Sequence, residues 1–441
     1  MTLKKDYYNS ATLTAMGFGG YFLNYGLSAF VARYTSMELY AEISIALKVI
    51  TILSTIMLLG TNTSSQRFFS TYISTRNIST SYDYIFWNIK VISKTFFMGW
   101  FFTLFVLFIM VVFHLWDIKQ IATHHLSVYA MLIAPFLAFT VLISSYLFAL
   151  GSIFLATFLN RIGRYLFFFL CFFTIVTLIS PTLETIHVLI TWVTTYVILI
   201  LIGVLTFWTK MPLELKSFFV NSRKFTNRKY EKNWKEVSYG LILNNIIFTI
   251  ICAVGLFLVA IFHPQKGATA LFAVASLISD VLFIISENVY NAVKPRINSL
   301  IKSKSGILQL QDLINKTNLI AFSIGILVFI ILIIFSKALL GHFGKAYLAA
   351  ENALVILCLS ALTGLASRLA SLILAFSGHH KLLIKIAIAE LCVLVIISIP
   401  LLHFFGIVGE SVAILISMLF KAIITVFFVK TYYPIKLFFY S

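Results

Sequence analysis

Blocks of about twenty apolar residues follow one another along the whole chain, parted by short polar turns. That is the length a helix needs to cross hydrocarbon, since each residue advances about 1.5 Å through a layer about 30 Å thick. In lipid every backbone N–H and C=O must be bonded internally, which leaves helices and closed barrels. A barrel strand reads as weak alternation over about ten residues, whereas these blocks are longer and unbroken. Only 11% of the residues are charged and 61% are hydrophobic, against about 25% charged in a soluble domain. The sequence therefore predicts an all-α polytopic membrane protein. Twelve spans are expected, near 9–32, 43–66, 91–113, 126–150, 163–180, 187–208, 239–262, 268–293, 316–336, 352–376, 382–402 and 407–429.

A formal charge of +18 suits a nucleic-acid partner, but its placement argues against one. With the N-terminus in the cytoplasm, 25 of the 33 Lys and Arg fall on the cytoplasmic side and 5 on the other, with Lys48, Arg368 and Lys421 inside spans. This is the positive-inside pattern, so both termini are expected in the cytoplasm, with the excess charge also meeting anionic lipid.

The longest cytoplasmic segment, 209–238, is basic and separates two sets of six spans, 1–208 and 239–441. A shift of 229 positions lays Gly26-Leu27 on Gly255-Leu256, Ala41 on Ala270, Ala46 on Ala275, Arg67 on Arg296 and Ser70 on Ser299. LFALG at 147–151 resembles LAFSG at 374–378 at a shift of 227. These matches predict a duplicated six-helix unit, repeated in parallel because the number of spans per unit is even.

Corresponding helices carry matching polar stripes. Helical spacing puts Asp280, Ile284, Glu287, Asn291 and Lys294 on one face of the eighth span, and Thr51, Thr55, Leu58, Asn62 and Ser65 at the equivalent places on the second. The first span adds Tyr21, Asn24 and Tyr25. Such groups face a wet cavity or one another, so LLGTNTSSQRFFSTY at 58–72 reads as the cytoplasmic mouth of a lumen with Arg67 and Arg296 at its rim. Two other readings stand beside this one. Hydroxyls in membrane helices also bond their own backbone or a neighbouring helix, and Asp280 or Glu287 could pair with Lys48 or Arg368.

The stretch at 33–72 resembles the early segment of polysaccharide flippases in the multidrug/oligosaccharidyl-lipid/polysaccharide (MOP) exporter superfamily, with the pattern's features at Tyr40, Ala41, Gly60 and Arg67. KPRINSLIKS at 294–303, LLGHFGKAYLAAENALVILCLSAL at 339–362 and FFGIVGESVAILIS at 404–417 resemble later segments of the same family. The chain departs from it at Glu410, where a small residue is usual, and at Ala41, where Gly is common. The resemblance implies a MATE-like fold of two six-helix lobes around a central cavity open alternately to either side. It further implies a flippase in the bacterial inner membrane that moves undecaprenyl-pyrophosphate-linked oligosaccharides for O-antigen or other lipopolysaccharide and surface-polysaccharide assembly, driven by a proton or sodium gradient. Membrane lipids and a polysaccharide polymerase are the partners implied, with no cofactor.

Such a cargo asks for cations, because phosphate takes a bidentate guanidinium well. Arg368, between Gly364 and Ser371 in mid-span, is the first choice as head-group ligand, with Lys48, Lys421, Arg67, Arg296, Asn62 and Asn291 beside it and Tyr25 to stack on sugar. A salt bridge from Arg368 to Glu390 or Asp280 is the alternative, and Lys48 or Lys421 could snorkel to an interface. Asp280, Glu287 and Glu390 are the candidates for ion coupling, since a desolvated carboxylate can bind and release protons. No phosphate-binding loop, metal cluster or nucleophile triad marks an enzyme. The rival readings are a multidrug exporter of the same superfamily and a membrane polysaccharide polymerase or ligase, the latter needing a larger outer loop than this chain offers.

Overall fold

The computed structural model describes residues 2–115, 125–180, 182–220, 230–263, 265, 267–302 and 307–432. Part of the basic 209–238 segment, residues 221–229, lies outside them. The described residues are helical, with no strand among them. Among the described residues, ten helices are long and apolar enough to cross a membrane. By contacts the chain separates into two compact units, residues 1–27 with 34–250, and residues 28–33 with 251–441.

The first unit holds most of α1 (Thr2–Tyr34), then α2 (Met37–Leu58), α3 (Thr61–Ser74), α4 (Ile78–Leu115), α5 (His125–Met131), α6 (Ala134–Ala149), α7 (Ile153–Thr157), α8 (Arg164–Leu178), α9 (Thr185–Lys210), α10 (Leu213–Val220) and the start of α11 (Glu231–Phe262). Ser36 caps α2 by accepting a hydrogen bond from the Leu39 amide at 3.1 Å, and Glu38 complements the positive end of the helix. Within this unit α6 packs against α2, α3 and α9. A six-residue π-helix, Phe158–Gly163, joins α7 to α8.

One expected span is corrected here. The sequence suggests a single helix over 43–66, but the chain breaks at Leu59 and Gly60, which take φ of 47° and 74°. Gly60 adopts this left-handed conformation without strain, and it also lets Ser238 of α11 come so close that a Cβ at Gly60 would collide with the Ser238 carbonyl oxygen. The polar run that follows belongs to a separate helix, α3.

The second unit holds the end of α11, α12 (Gly267–Lys302), α13 (Ile307–Ile334), α14 (Ser336–Gly341), α15 (Glu351–Phe376) and α16 (His380–Tyr432). α15 packs on α12, α13 and α16. Tyr290, Ile314, Leu365, Leu369 and Val429 bury their side chains together where these helices meet. A straight helix as long as α16 would measure about 80 Å, yet the rings of His379 and Tyr432 at its two ends stack 4.2 Å apart. Gly406, at φ 58° and ψ −140°, turns the chain back on itself, and Gly409 passes so near the Leu401 carbonyl that a side chain there would overlap it. The expected spans 382–402 and 407–429 are the two limbs of this hairpin.

Candidate functional site: charged and polar groups within the spans

In the second unit the hairpin of α16 brings Glu390 and Lys421 together at 2.9 Å, with the Glu390 side chain fully buried and that of Lys421 22% exposed. Two residues expected in different roles, ion coupling and cargo binding, therefore share one ion pair. Glu390 is thus the partner of Lys421 and not of Arg368. Arg368 is half-buried on α15 and has no ion-pair partner among the described residues. Its charge acts on the buried Tyr290 of α12, whose hydroxyl donates to Asn318 Oδ1 and to the Leu365 carbonyl, each at 3.2 Å. The hydroxyls flanking Arg368 are absorbed by their own helix: Ser367 donates to the Gly364 carbonyl at 3.0 Å and Ser371 to the Ser367 carbonyl at 2.8 Å. Gly364 packs against the Phe283 ring.

On α12 itself, Asp280 is exposed, Glu287 half-buried and Arg296 exposed, and each is engaged with another group. Asn291 lies on the same helix, but its side chain falls outside the described residues, as does that of Lys294.

In the first unit Lys48 is half-buried on α2 without a described ion-pair partner, Tyr25 is half-buried on α1 and engaged, and Asn62 is half-buried on α3. Arg67 is exposed, its guanidinium 5.7 Å from the Phe68 ring centroid. Ser64 and Ser65 just before it do not face a mouth. Ser64 and Ser65 are fully buried: Ser64 shares hydrogen bonds with Tyr84 at 2.9 Å and Ser238 at 2.7 Å, and Ser65 accepts from Asn88 Nδ2 at 2.9 Å. Asn88 also donates to Tyr146 at 2.6 Å. Thr51 and Thr55 bond their own helix backbone. Trp234 Nε1 donates to Tyr72 at 2.9 Å, and Tyr84, Trp87 and Tyr230 pack their rings about Trp234. Burial pushes the Tyr72 phenol up from its ordinary range. The lumen reading of 58–72 is corrected at these positions: the polar run knits α3 to α4, α6 and α11. The reason is energetic, since a hydroxyl in an apolar interior needs a partner and neighbouring helices supply one.

Two groups escape the sequence reading of candidate sites. Arg164, where the π-helix passes into α8, lies with its guanidinium 4.6 Å from the Tyr165 ring centroid and donates to the Tyr165 hydroxyl at 2.5 Å, while its charge also acts on the buried Tyr196. Its signal in the sequence is the arginine pair of NRIGRY at 160–165. The other is Glu410, fully buried in the second limb of α16. It stands out in the sequence only as a departure from the flippase pattern.

No protein-family model matches the sequence, and neither does any curated protein. Solved structures do match over nearly the whole chain. The inward-facing conformation of a multidrug resistance MATE family transporter of the MOP superfamily aligns with a TM-score of 0.72 at 13% identity, covering 96% of this chain and 98% of that one. A MOP superfamily transporter from Pyrococcus furiosus, whose binding pocket is described as of reverse polarity and suggestive of a different function, aligns at 0.63 and 15% identity, covering 96% and 95%. A Vibrio cholerae MATE transporter aligns at 0.59 and 13% identity, covering 97% and 98%. At such identities the likeness shows the fold, and the fold is that of MATE-type transporters.

Proposed function

We propose that this protein is a secondary transporter that carries an amphiphile with an anionic head, a lipid-linked pyrophosphoryl oligosaccharide, across the bacterial inner membrane by alternating access, with both its termini in the cytoplasm. The observation that carries the reading is Arg368, a guanidinium inside a span with no described carboxylate to neutralise it. Placing an arginine at the centre of a membrane helix costs about 2.5–3.5 kcal/mol, and a chain that accepts this without a counter-ion holds the cation for something that arrives. Lys48 and Arg164 extend the argument to the first unit. The lipid tail of such a cargo stays in hydrocarbon while pyrophosphate and sugar need a polar, cationic path. A polysaccharide polymerase then takes the delivered units.

A second reading is an exporter of small organic compounds. It is favoured by the fold comparisons, in which multidrug resistance transporters figure most plainly, and the acids on α12 are compatible with a cationic drug. The neighbour of reverse pocket polarity supports separating fold from cargo: one architecture serves pockets of either sign. Arg368 decides between the readings. In a strain lacking its own flippase and complemented for surface polysaccharide, Arg368→Ala is expected to abolish polymer at normal protein level, and Arg368→Lys to restore part of it because charge is kept while the bidentate fork is lost. Full polymer from the alanine variant would remove Arg368 from cargo binding, and no polymer from the wild-type protein would leave the exporter reading in front.

A further inference from the structure

Glu410 has no part in the cation argument, and it belongs to none of the ion pairs among the described residues. It is fully buried, and neither carboxylate oxygen has a hydrogen-bond partner among the described residues. Gly255 of α11 lies against it: a Cβ there would stand 2.9 Å from Oε1, and the Phe272 ring of α12 and the Ile414 side chain crowd the same point. From the first limb of α16, Ser398 faces the carboxyl, its hydroxyl buried and without a hydrogen-bond partner among the described residues. No described charged group acts on Glu410 from α11, α12 or either limb of α16. Glu390 and Lys421 neutralise each other, Asp280 and Glu287 of α12 each have an interaction of their own, and His263 at the end of α11 faces Gly406.

An acid so placed must carry a neutralising ion. A hard metal cation wants a shell of oxygen ligands. Of the neighbours seen at the carboxyl, Gly255, Phe272, Ile414 and Ser398, only Ser398 brings a side-chain oxygen. A proton needs no shell. It turns the anion into a neutral acid that can donate to Ser398.

We propose that Glu410 is a proton-binding site and that its protonation, which lets the α16 hairpin close on α11 and α12, couples transport to the proton gradient. The coupling half of this inference rests on the transporter reading above. The carboxylate takes up a proton where the hairpin is open to water on one side, is buried as the neutral acid, and gives the same proton up when the site is exposed to the other side. Gly406 and Gly409 at the bend supply the pivot. Glu410 thereby takes the role the sequence offered to Asp280, Glu287 and Glu390.

The test is infrared difference spectroscopy on the full-length protein in lipid nanodiscs across a pH titration. The wild type is expected to show the carbonyl band of a buried carboxylic acid that fades as pH rises. Glu410→Gln, nearly isosteric, should lack the band, Glu410→Asp should keep it at a shifted position, and exchanging sodium for potassium should leave it unmoved. A spectrum that Glu410→Gln does not change, or a band that sodium removes at constant pH, overturns the proton site whatever the cargo is. Coupling is read in proteoliposomes with two probes, a fluorescent polyprenyl-pyrophosphate glycan and an organic-cation dye. Whichever is carried should lose its acceleration by an imposed pH gradient in the glutamine variant. Acceleration that survives there overturns the coupling and leaves the cargo assignment untouched.

Discussion

Gly60 is held at φ 74° with the Ser238 carbonyl oxygen where a side chain would begin. An alanine there meets both obstacles: a left-handed residue costs about 1–2 kcal/mol, and displacing packed backbone costs about as much again. Gly60→Ala is expected to lower the thermal midpoint in detergent clearly, while an alanine at Gly240, which has open space around it, should not shift it comparably. Ser64 makes a second residue-scale case. Removing its hydroxyl leaves Tyr84 and Ser238 short of a partner inside the unit, which costs about 1–3 kcal/mol. Ser64→Ala and Tyr84→Phe should each destabilise, and the double variant should lose less than their sum, as a thermal-unfolding cycle would read. At this scale the sequence told that Ser64, Ser65 and Asn62 were polar in an apolar chain. It could not tell which way they faced, because a hydroxyl turned to water and one turned to a tyrosine on another helix share the same helical period.

Among elements, the α16 hairpin shows where reading along the chain works. The expected break between 402 and 407 falls at Gly406, and the positive φ there is what only glycine takes readily. The LFALG and LAFSG stretches fare equally well. Gly151 and Gly378 both follow a helix with φ of 78° and 86°, and the same capping bonds recur, Ser152 N–H to the Leu147 carbonyl at 2.9 Å and His379 N–H to the Leu374 carbonyl at 3.0 Å. What stayed hidden was the pairing across the hairpin. Glu390 and Lys421 lie far apart in sequence, and nothing short of the turn at Gly406 brings them into register. Breaking a buried pair leaves a bare charge and costs about 3–5 kcal/mol, whereas replacing both partners by apolar residues is close to neutral. Lys421→Met alone should therefore destabilise strongly, and adding Glu390→Leu should restore most of the loss in the thermal midpoint.

For the whole molecule, the apolar blocks made the class of fold plain, because membrane thickness and backbone bonding leave few alternatives. The excess of Lys and Arg on one side carries a separate expectation. A reporter fused after Ser441 that fluoresces only in the cytoplasm should be active, and one fused in the 209–238 segment should agree with it. The cargo is less legible, since Arg368 and Glu410 are single residues whose meaning depends on what lies around them. The most direct measurement is transport by purified protein in proteoliposomes, with the polyprenyl-pyrophosphate glycan and the organic-cation dye offered separately. The account predicts that the anionic lipid-linked glycan crosses, and that Arg368→Ala slows it. Transport of the dye with no movement of the glycan would contradict it.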